Sequence, residues 1–230
     1  MARSVSNGVL KFHAGTEEKL LSYVLTNAED SNPDSVIECI NKFCWTNHWM
    51  MHVGDEKGKI LEKTVYDTQP LNVLELGTYC GYSTILMLKN MTNPESKVYC
   101  VDPDTETIHK ITIPILRKAG LLSRVVFILE CSDSAIQKFN SKIKFDLVFL
   151  DHDKKCYYVD LITLEQKNLL NKDIVLVADN VIVFKIMNYY NYVTNKNKFK
   201  TEIFLTNLEY NNETTDSQIH KDGILVSRYK

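Results

Sequence analysis

Five short apolar runs, four of them closing in an acid or followed by one within a residue, recur between residues 71 and 179: LNVLEL, KVYCVD, RVVFIL, FDLVFLD and DIVLVAD. Each has the composition of a β-strand, and each is separated from the next by a helical or loop segment of a length suited to a crossover. That alternation argues for an α/β fold, a parallel sheet with helices on both faces. Residues 17–66 read differently. EEKLLSYVLTNA and SVIECINKFCWTN place apolar side chains three to four apart, which predicts helices, with NPDS between them as a turn. Near the carboxyl end, TEIFLT and GILVSRYK read as strands joined by NLEYNNETTDSQIHKD, which is too polar for a crossover helix with a buried face. They predict an antiparallel edge on an otherwise parallel sheet.

No Gly/Ser-rich or Pro-rich linker divides the 230 residues, so the reading is one domain, with an N-terminal helical cap over 1–70 and the α/β core over 71–230. The 27 basic and 29 acidic residues leave a net charge of -2, which excludes a basic nucleic-acid binder. The amino terminus shows no signal peptide and no apolar segment of spanning length. Six cysteines are scattered without CxxC spacing, which fits a reducing, cytoplasmic setting with no membrane association. Sequons at Asn90 and Asn212 are short enough to arise by chance.

In a sheet of this kind ligands bind beyond the carboxyl ends of the strands, where strand order reverses. Those ends supply Glu75, Asp102, Glu130, Asp151, and Asp179 with Asn180. The first turn, ELGTYCGYS, spaces its glycines as GxxxG at Gly77 and Gly81, unlike the GxGxxG that brings backbone against a pyrophosphate. An acid inside the preceding strand and no following Lys-Ser/Thr serve a cationic amino-acid head group better than a phosphate. Asp102 is placed to accept from a ribose diol, with Asp104 and Cys100 as alternatives. A ligand with a ribose and a positive charge but no phosphate is S-adenosylmethionine; the competing reading is an ordinary glycine turn. Asp151, Asp179 and Asn180 make a hard, all-oxygen set that suits Mg²⁺ and suits zinc badly, although such residues also cap helices and form turns. Lys154 lies three residues beyond Asp151. Beside a divalent cation its ammonium would lose a proton more easily, and a shift of about three pH units corresponds to about 4 kcal/mol, enough to make it a general base; the plain alternative is a solvated surface lysine.

The stretches HWMMHVGDEKGKIL, VLELGTYCGYST, VFLDH followed by Lys154, ADNVIV and LEY resemble, in order and spacing, the motifs of the catechol O-methyltransferase family, over residues 18–230. The resemblance implies the Rossmann-like class I methyltransferase fold, with seven strands and an antiparallel last pair. It implies transfer of the methyl group of S-adenosylmethionine to one hydroxyl of a small-molecule catechol held on Mg²⁺, by a monomer. By the same resemblance Asp151, Asp179 and Asn180 are the metal ligands and Lys154 the base. Glu209 partners the second hydroxyl. Met51, Val53, Glu75, Gly77, Tyr79, Ser83, Ser132, Asp151 and His152 match cofactor contacts, with Asp102 at the ribose. Trp49 and Phe184 match the walls of the substrate slot, which Lys154, Asn180 and Glu209 complete. The chain departs from the family pattern at Asp153, where the family has tryptophan, at Phe184, where it has proline, at His52 in place of asparagine, and at Glu130-Cys131 in place of a small pair. These positions alter the slot walls more than the reacting centre, so another vicinal diol or phenol, such as a caffeoyl ester, is the alternative substrate class, and a non-catalytic scaffold the alternative of a different kind.

Overall fold

The computed structural model describes residues 4–6, 9–11, 15–210 and 221–230. Its strands are β1 (Ser4–Ser6), β2 (Val9–Lys11), β3 (Asn72–Leu76), β4 (Lys97–Val101), β5 (Val125–Ile128), β6 (Phe145–Leu150), β7 (Leu170–Ala178), β8 (Phe199–Asn207) and β9 (Lys221–Tyr229). Its helices are α1 (Thr16–Asn27), α2 (Pro33–Thr46), α3 (Gly54–Thr68), α4 (Tyr82–Asn90), α5 (Thr105–Thr107), α6 (Ile113–Lys118), α7 (Ser132–Lys138), α8 (Tyr157–Gln166) and α9 (Met187–Val193).

Seven strands form one sheet in the order β5-β4-β3-β6-β7-β9-β8, and β9 runs antiparallel to both of its neighbours while the rest are parallel. The chain builds outward from β3 to β5, then returns to the other side of β3 to lay down β6 and β7. The order therefore reverses between β3 and β6. Side chains alternate across this sheet, as a pleated strand requires. Val73, Val98, Leu147, Phe149, Val175, Val177, Ile224 and Val226 face one core, shared with Leu20, Ile40, Leu61 and Ile85 of the helices α1 to α4. Leu74, Leu76, Val148, Leu150, Leu176 and Leu225 face a second core, with Ile136 of α7, Leu161 of α8 and Tyr189 of α9. Burial on both faces pins the register, because a one-residue slip of any strand would exchange its two sets of side chains.

The expected fold is the observed one, and its differences are local. NPDS is not a turn but the start of α2: Asn32 accepts from the Ser35 amide at 3.1 Å, and Pro33 occupies the first helical position, where a missing N–H costs nothing. Strand β7 begins at Leu170, three residues before the apolar run. Its pairing with β6 shifts between Phe145 and Leu147, so Asn171, Lys172 and Asp173 are carried in an irregular stretch. The short antiparallel pair β1 and β2 was not expected. Most of the polar connection after Glu209, with Asn212, lies outside the described residues. All six cysteines are free. Among the described residues no helix is long and apolar enough to cross a membrane.

Candidate functional site

The register of the sheet builds the site. Val101, Leu76, Leu150 and Ala178 pair in one row across β4, β3, β6 and β7. The next residue of each strand, Asp102, Gly77, Asp151 and Asp179, therefore lies along a single edge. Backbone bonds extend the row by one step: Gly77 donates to Val101 at 2.9 Å, Asp151 to Leu76 at 2.9 Å and Asp179 to Leu150 at 3.0 Å. Because β9 is antiparallel, its first residues reach the same edge, and so does the end of β8. That reversal delivers Asp222 and Glu209.

At the switch point Gly77 has φ +89, and a Cβ there would meet the Asp151 carbonyl oxygen at 2.6 Å. Only glycine lets the β3–α4 turn pass this close to β6. Asp102 ties the turn down: its Oδ2 accepts from the Thr78 and Tyr79 amides, both at 3.0 Å, and its Oδ1 from the Asp104 amide at 2.9 Å. A carboxylate offers about four acceptor positions, so about one remains for a ligand. Asp104 accepts from the Thr107 amide at 3.1 Å and from its hydroxyl at 2.8 Å. Cys100, the third ribose candidate, is buried and turned inward, donating to Glu75 at 3.0 Å.

Glu75 lies beneath the turn, fully buried, and accepts from the Ser83 hydroxyl at 2.5 Å and the Thr84 hydroxyl at 2.6 Å. Burial pushes its carboxyl up to about 7, against the pull of those donors. Tyr79 donates to Glu17 of α1 at 3.0 Å, and its carbonyl accepts from the Thr112 hydroxyl. Of the other expected cofactor contacts, Val53 is buried, Met51 is exposed, and Ser132 opens α7 part-buried. His152 stacks on Tyr157 with ring centroids 5.0 Å apart, and its Nε2 meets Asp160 Oδ2 at 2.8 Å. A neutral ring that gives its hydrogen to Asp160 presents Nδ1 as a bare acceptor. That atom is buried and has no hydrogen-bond partner among the described residues.

Beyond β6 and β7 the acids gather. Lys154 donates to Asp151 Oδ1 at 2.7 Å and to the Tyr157 hydroxyl at 2.8 Å, and Tyr157 in turn donates to the Leu150 carbonyl at 2.7 Å. Its ammonium also lies over the rings of Tyr157, at 5.2 Å, and of Phe184, at 5.8 Å, and Phe184 is otherwise exposed. Asn180 has φ 56, a left-handed conformation that asparagine tolerates better than most residues. Its Nδ2 donates to Asp222 Oδ2 at 2.7 Å and to Glu209 Oε1 at 3.1 Å. Trp49 donates its indole N–H to the Glu209 carbonyl at 2.9 Å.

Sequence reasoning missed Lys57 and Asp222. Lys57 projects from the first turns of α3, 1 % exposed, and pairs with Asp179 at 2.7 Å, with Asp222 at 2.6 Å and with Glu209. Burial disfavours its charge, but the three carboxylates, Asp179 foremost, hold it above the usual lysine range. Burial raises Asp151, Asp179 and Glu209, each only partly offset by the nearest lysine. Asp222 differs: burial pushes up, yet Lys57 and Asn180 hold it below the usual carboxylate range.

Three expected oxygen donors, Asp151, Asp179 and Asn180, thus stand at adjacent strand ends on a rigid edge. Around them four carboxylates (Asp151, Asp179, Glu209, Asp222) face two ammonium groups (Lys57, Lys154), leaving a formal charge of four minus two, or two negative charges. A hard oxygen set with that surplus fits a divalent cation such as Mg²⁺.

This doubly wound sheet with a reversed final hairpin is the architecture of the class I methyltransferases. The O-methyltransferase TomG of Streptomyces achromogenes, involved in tomaymycin synthesis and solved in complex with S-adenosylmethionine, superposes with a TM-score of 0.70 at 16% identity, over 93% of this chain and 98% of that one. At the level of sequence, the O-methyltransferase family model matches residues 28–227. Catechol O-methyltransferase B of Danio rerio is 38% identical over 198 residues, 84% of this chain and 74% of its own length. Catechol O-methyltransferase of Bos taurus is 35% identical over 199 residues, 84% of this chain and 72% of its own. The chain belongs to the O-methyltransferase family.

Proposed function

We propose that the chain transfers the methyl group of S-adenosylmethionine to one hydroxyl of a catechol, with Mg²⁺ held by Asp151, Asp179 and Asn180. The observation that carries the reading is the single edge on which those three residues stand beside Lys154 and Glu209. The names of the relatives supply the catechol; the residues supply the chemistry.

S-adenosylmethionine would bind at the β3–α4 turn, which Gly77 lets pack against β6 and where Asp102 keeps an acceptor for the ribose. His152 Nδ1, buried and unpartnered, takes an amine hydrogen of the adenine. The bound cation supplies Lewis acidity that lowers the proton affinity of the substrate's hydroxyls. In its neutral amine form Lys154 Nζ, held in place by Asp151 and Tyr157, accepts the proton of the attacking hydroxyl. The Glu209 carboxylate holds the second hydroxyl, and Trp49 and Phe184 flank the ring. The oxygen then forms its bond to the methyl carbon as the sulfonium–carbon bond breaks, and the products are the methoxyphenol and S-adenosylhomocysteine. Positive and negative charge cancel as the two reactants meet, so a pocket that excludes water favours the step.

Purified protein is assayed with S-adenosylmethionine and dopamine, simple catechol or a caffeoyl ester, in Mg²⁺ and then in EDTA. Methylation of the catechols that stops in EDTA, and that falls at least 100-fold in Lys154→Ala and Asp151→Ala, is the expected result. Turnover that persists in EDTA overturns the metal reading. A preference for the caffeoyl ester moves the substrate to the other diol class, which the exposed Phe184 wall accommodates. Cofactor binding with no turnover on any diol makes the chain a scaffold.

A further inference from the structure

Lys57 and Asp222 have no part in the proposed chemistry, yet they are among the most deeply buried charges in the chain. Resting on the proposed cation site, we infer that Asp222 and Lys57 are positioning residues that fix which end of the Asn180 amide faces the cation.

Asn180 presents an oxygen and a nitrogen that differ little in shape but are opposite in hydrogen bonding. As a cation ligand it is useful only through the oxygen. The two acceptors near its amide, Asp222 Oδ2 at 2.7 Å and Glu209 Oε1 at 3.1 Å, are carboxylate oxygens. An amide oxygen turned toward them would meet two acceptors, and the donor they share, Lys57, already spends its three hydrogens on carboxylates, so the nitrogen takes that side whatever the assignment of the atoms. The oxygen is left on the opposite side, with no donor claiming it among the described residues.

Lys57 makes this arrangement rigid. Its three ammonium hydrogens are matched by three carboxylates, Asp179, Glu209 and Asp222, so one side chain from α3 ties the end of β7 to both strands of the β8–β9 hairpin. Asp222 also accepts from the Val183 amide at 3.3 Å, in the segment that carries Phe184. Without Asp222, one Lys57 hydrogen and one Asn180 amide hydrogen would lose their acceptor, and Glu209 alone would hold the amide nitrogen.

The test is a double-mutant cycle of isosteric exchanges: Asn180→Asp, Asp222→Asn and the two together. Mg²⁺ affinity is read by calorimetry in the presence of S-adenosylhomocysteine, and S-adenosylhomocysteine affinity is read separately. Asn180→Asp places a carboxylate against two others, and despite its extra negative charge it weakens Mg²⁺ binding about 10- to 100-fold, the range found for partners that orient metal ligands. The double exchange gives the new carboxylate a donor in the Asp222→Asn amide, while Glu209 still faces it and one Lys57 hydrogen loses its acceptor, and it recovers Mg²⁺ affinity at least about threefold over Asn180→Asp alone. S-adenosylhomocysteine affinity stays constant throughout. Should Asn180→Asp fail to fold, a double exchange that folds and binds Mg²⁺ supports the pairing, and one that fails to fold as well, or binds no Mg²⁺, overturns it. Additive single effects, or tighter Mg²⁺ binding by Asn180→Asp, overturn the inference while leaving the cation site standing. A wild-type protein that binds no Mg²⁺ overturns the cation site, and the inference with it.

Discussion

Two buried carboxyl groups illustrate opposite solutions to the loss of water. Asp222 stays ionised because a lysine touches it; Glu75 has, among the described residues, only neutral donors, two hydroxyls and a thiol, and its carboxyl is pushed up to about 7. Above its unfolded value, which lies near the reference 4.5, the unfolded chain releases this proton while the folded chain keeps it until about pH 7. Stability from Glu75 is thus fully present below pH 4.5 and is lost as pH rises through 7, a fall of roughly 3 kcal/mol. Urea denaturation of wild type and Glu75→Gln between pH 4.5 and 8 checks this, the wild type losing stability relative to the variant as pH rises. A constant difference would rule it out. Glu75, Asp151, Lys154 and Asp179 were legible in the sequence because they sit inside or just after apolar strands, where any charged residue stands out. Lys57 was not, because a lysine in an amphipathic helix reads as surface. Its position carried a signal all the same: Gly54, Lys57, Gly58, Leu61, Thr64 and Val65 share the buried stripe of α3, so the helical spacing that predicts Leu61 inside predicts Lys57 inside too.

At the level of elements, periodicity revealed the central strands and the final hairpin. It failed where polar residues continue an element. Asn171, Lys172 and Asp173 look like a loop, yet the backbone of β7 runs through them, and Asn32-Pro33 looks like a turn but starts a helix. What periodicity could not supply at all is which elements meet outside the sheet. The start of α3 presses on the hairpin: a Cβ on Gly54, at φ +71, would lie 2.8 Å from Glu209 Cγ and 3.4 Å from its Cα. Gly54→Ala therefore both strains a left-handed backbone and pushes Glu209 away from Lys57 and Asn180, costing about 2 to 4 kcal/mol. Denaturant unfolding reads that loss. In the folded fraction, the KM for the proposed catechol substrate rises, because the displaced side chain is the one that would hold its second hydroxyl. An unchanged KM would mean that Glu209 does not touch the substrate.

Across the whole molecule, one structural edge would carry both proposed binding sites, and β6 is common to them. Its Asp151 lies with its backbone against Gly77 of the β3–α4 turn and its side chain on Lys154, beside the proposed cation ligands. Before anything binds, the acid cluster carries two more negative than positive charges in a region burial has stripped of water, which is a reserve of unfavourable energy that a divalent cation relieves. Ligands of the folded chain alone should therefore raise its melting temperature in separable increments. At 100 times its Kd, each adds about 2.7 kcal/mol, or about 5 to 10 °C for a domain of this size. S-adenosylhomocysteine and Mg²⁺ together exceed either alone in a thermal scan, and EDTA removes only the cation's share. Asp179→Ala separates them further. It deletes one oxygen donor and one partner of Lys57, so the Mg²⁺ increment vanishes while the S-adenosylhomocysteine increment, which depends on β3, β4 and the turn, remains. If Asp179→Ala kept its response to Mg²⁺, the cation would bind elsewhere, and the negative surplus that Lys57 and Lys154 leave at this edge would have to be met by the substrate.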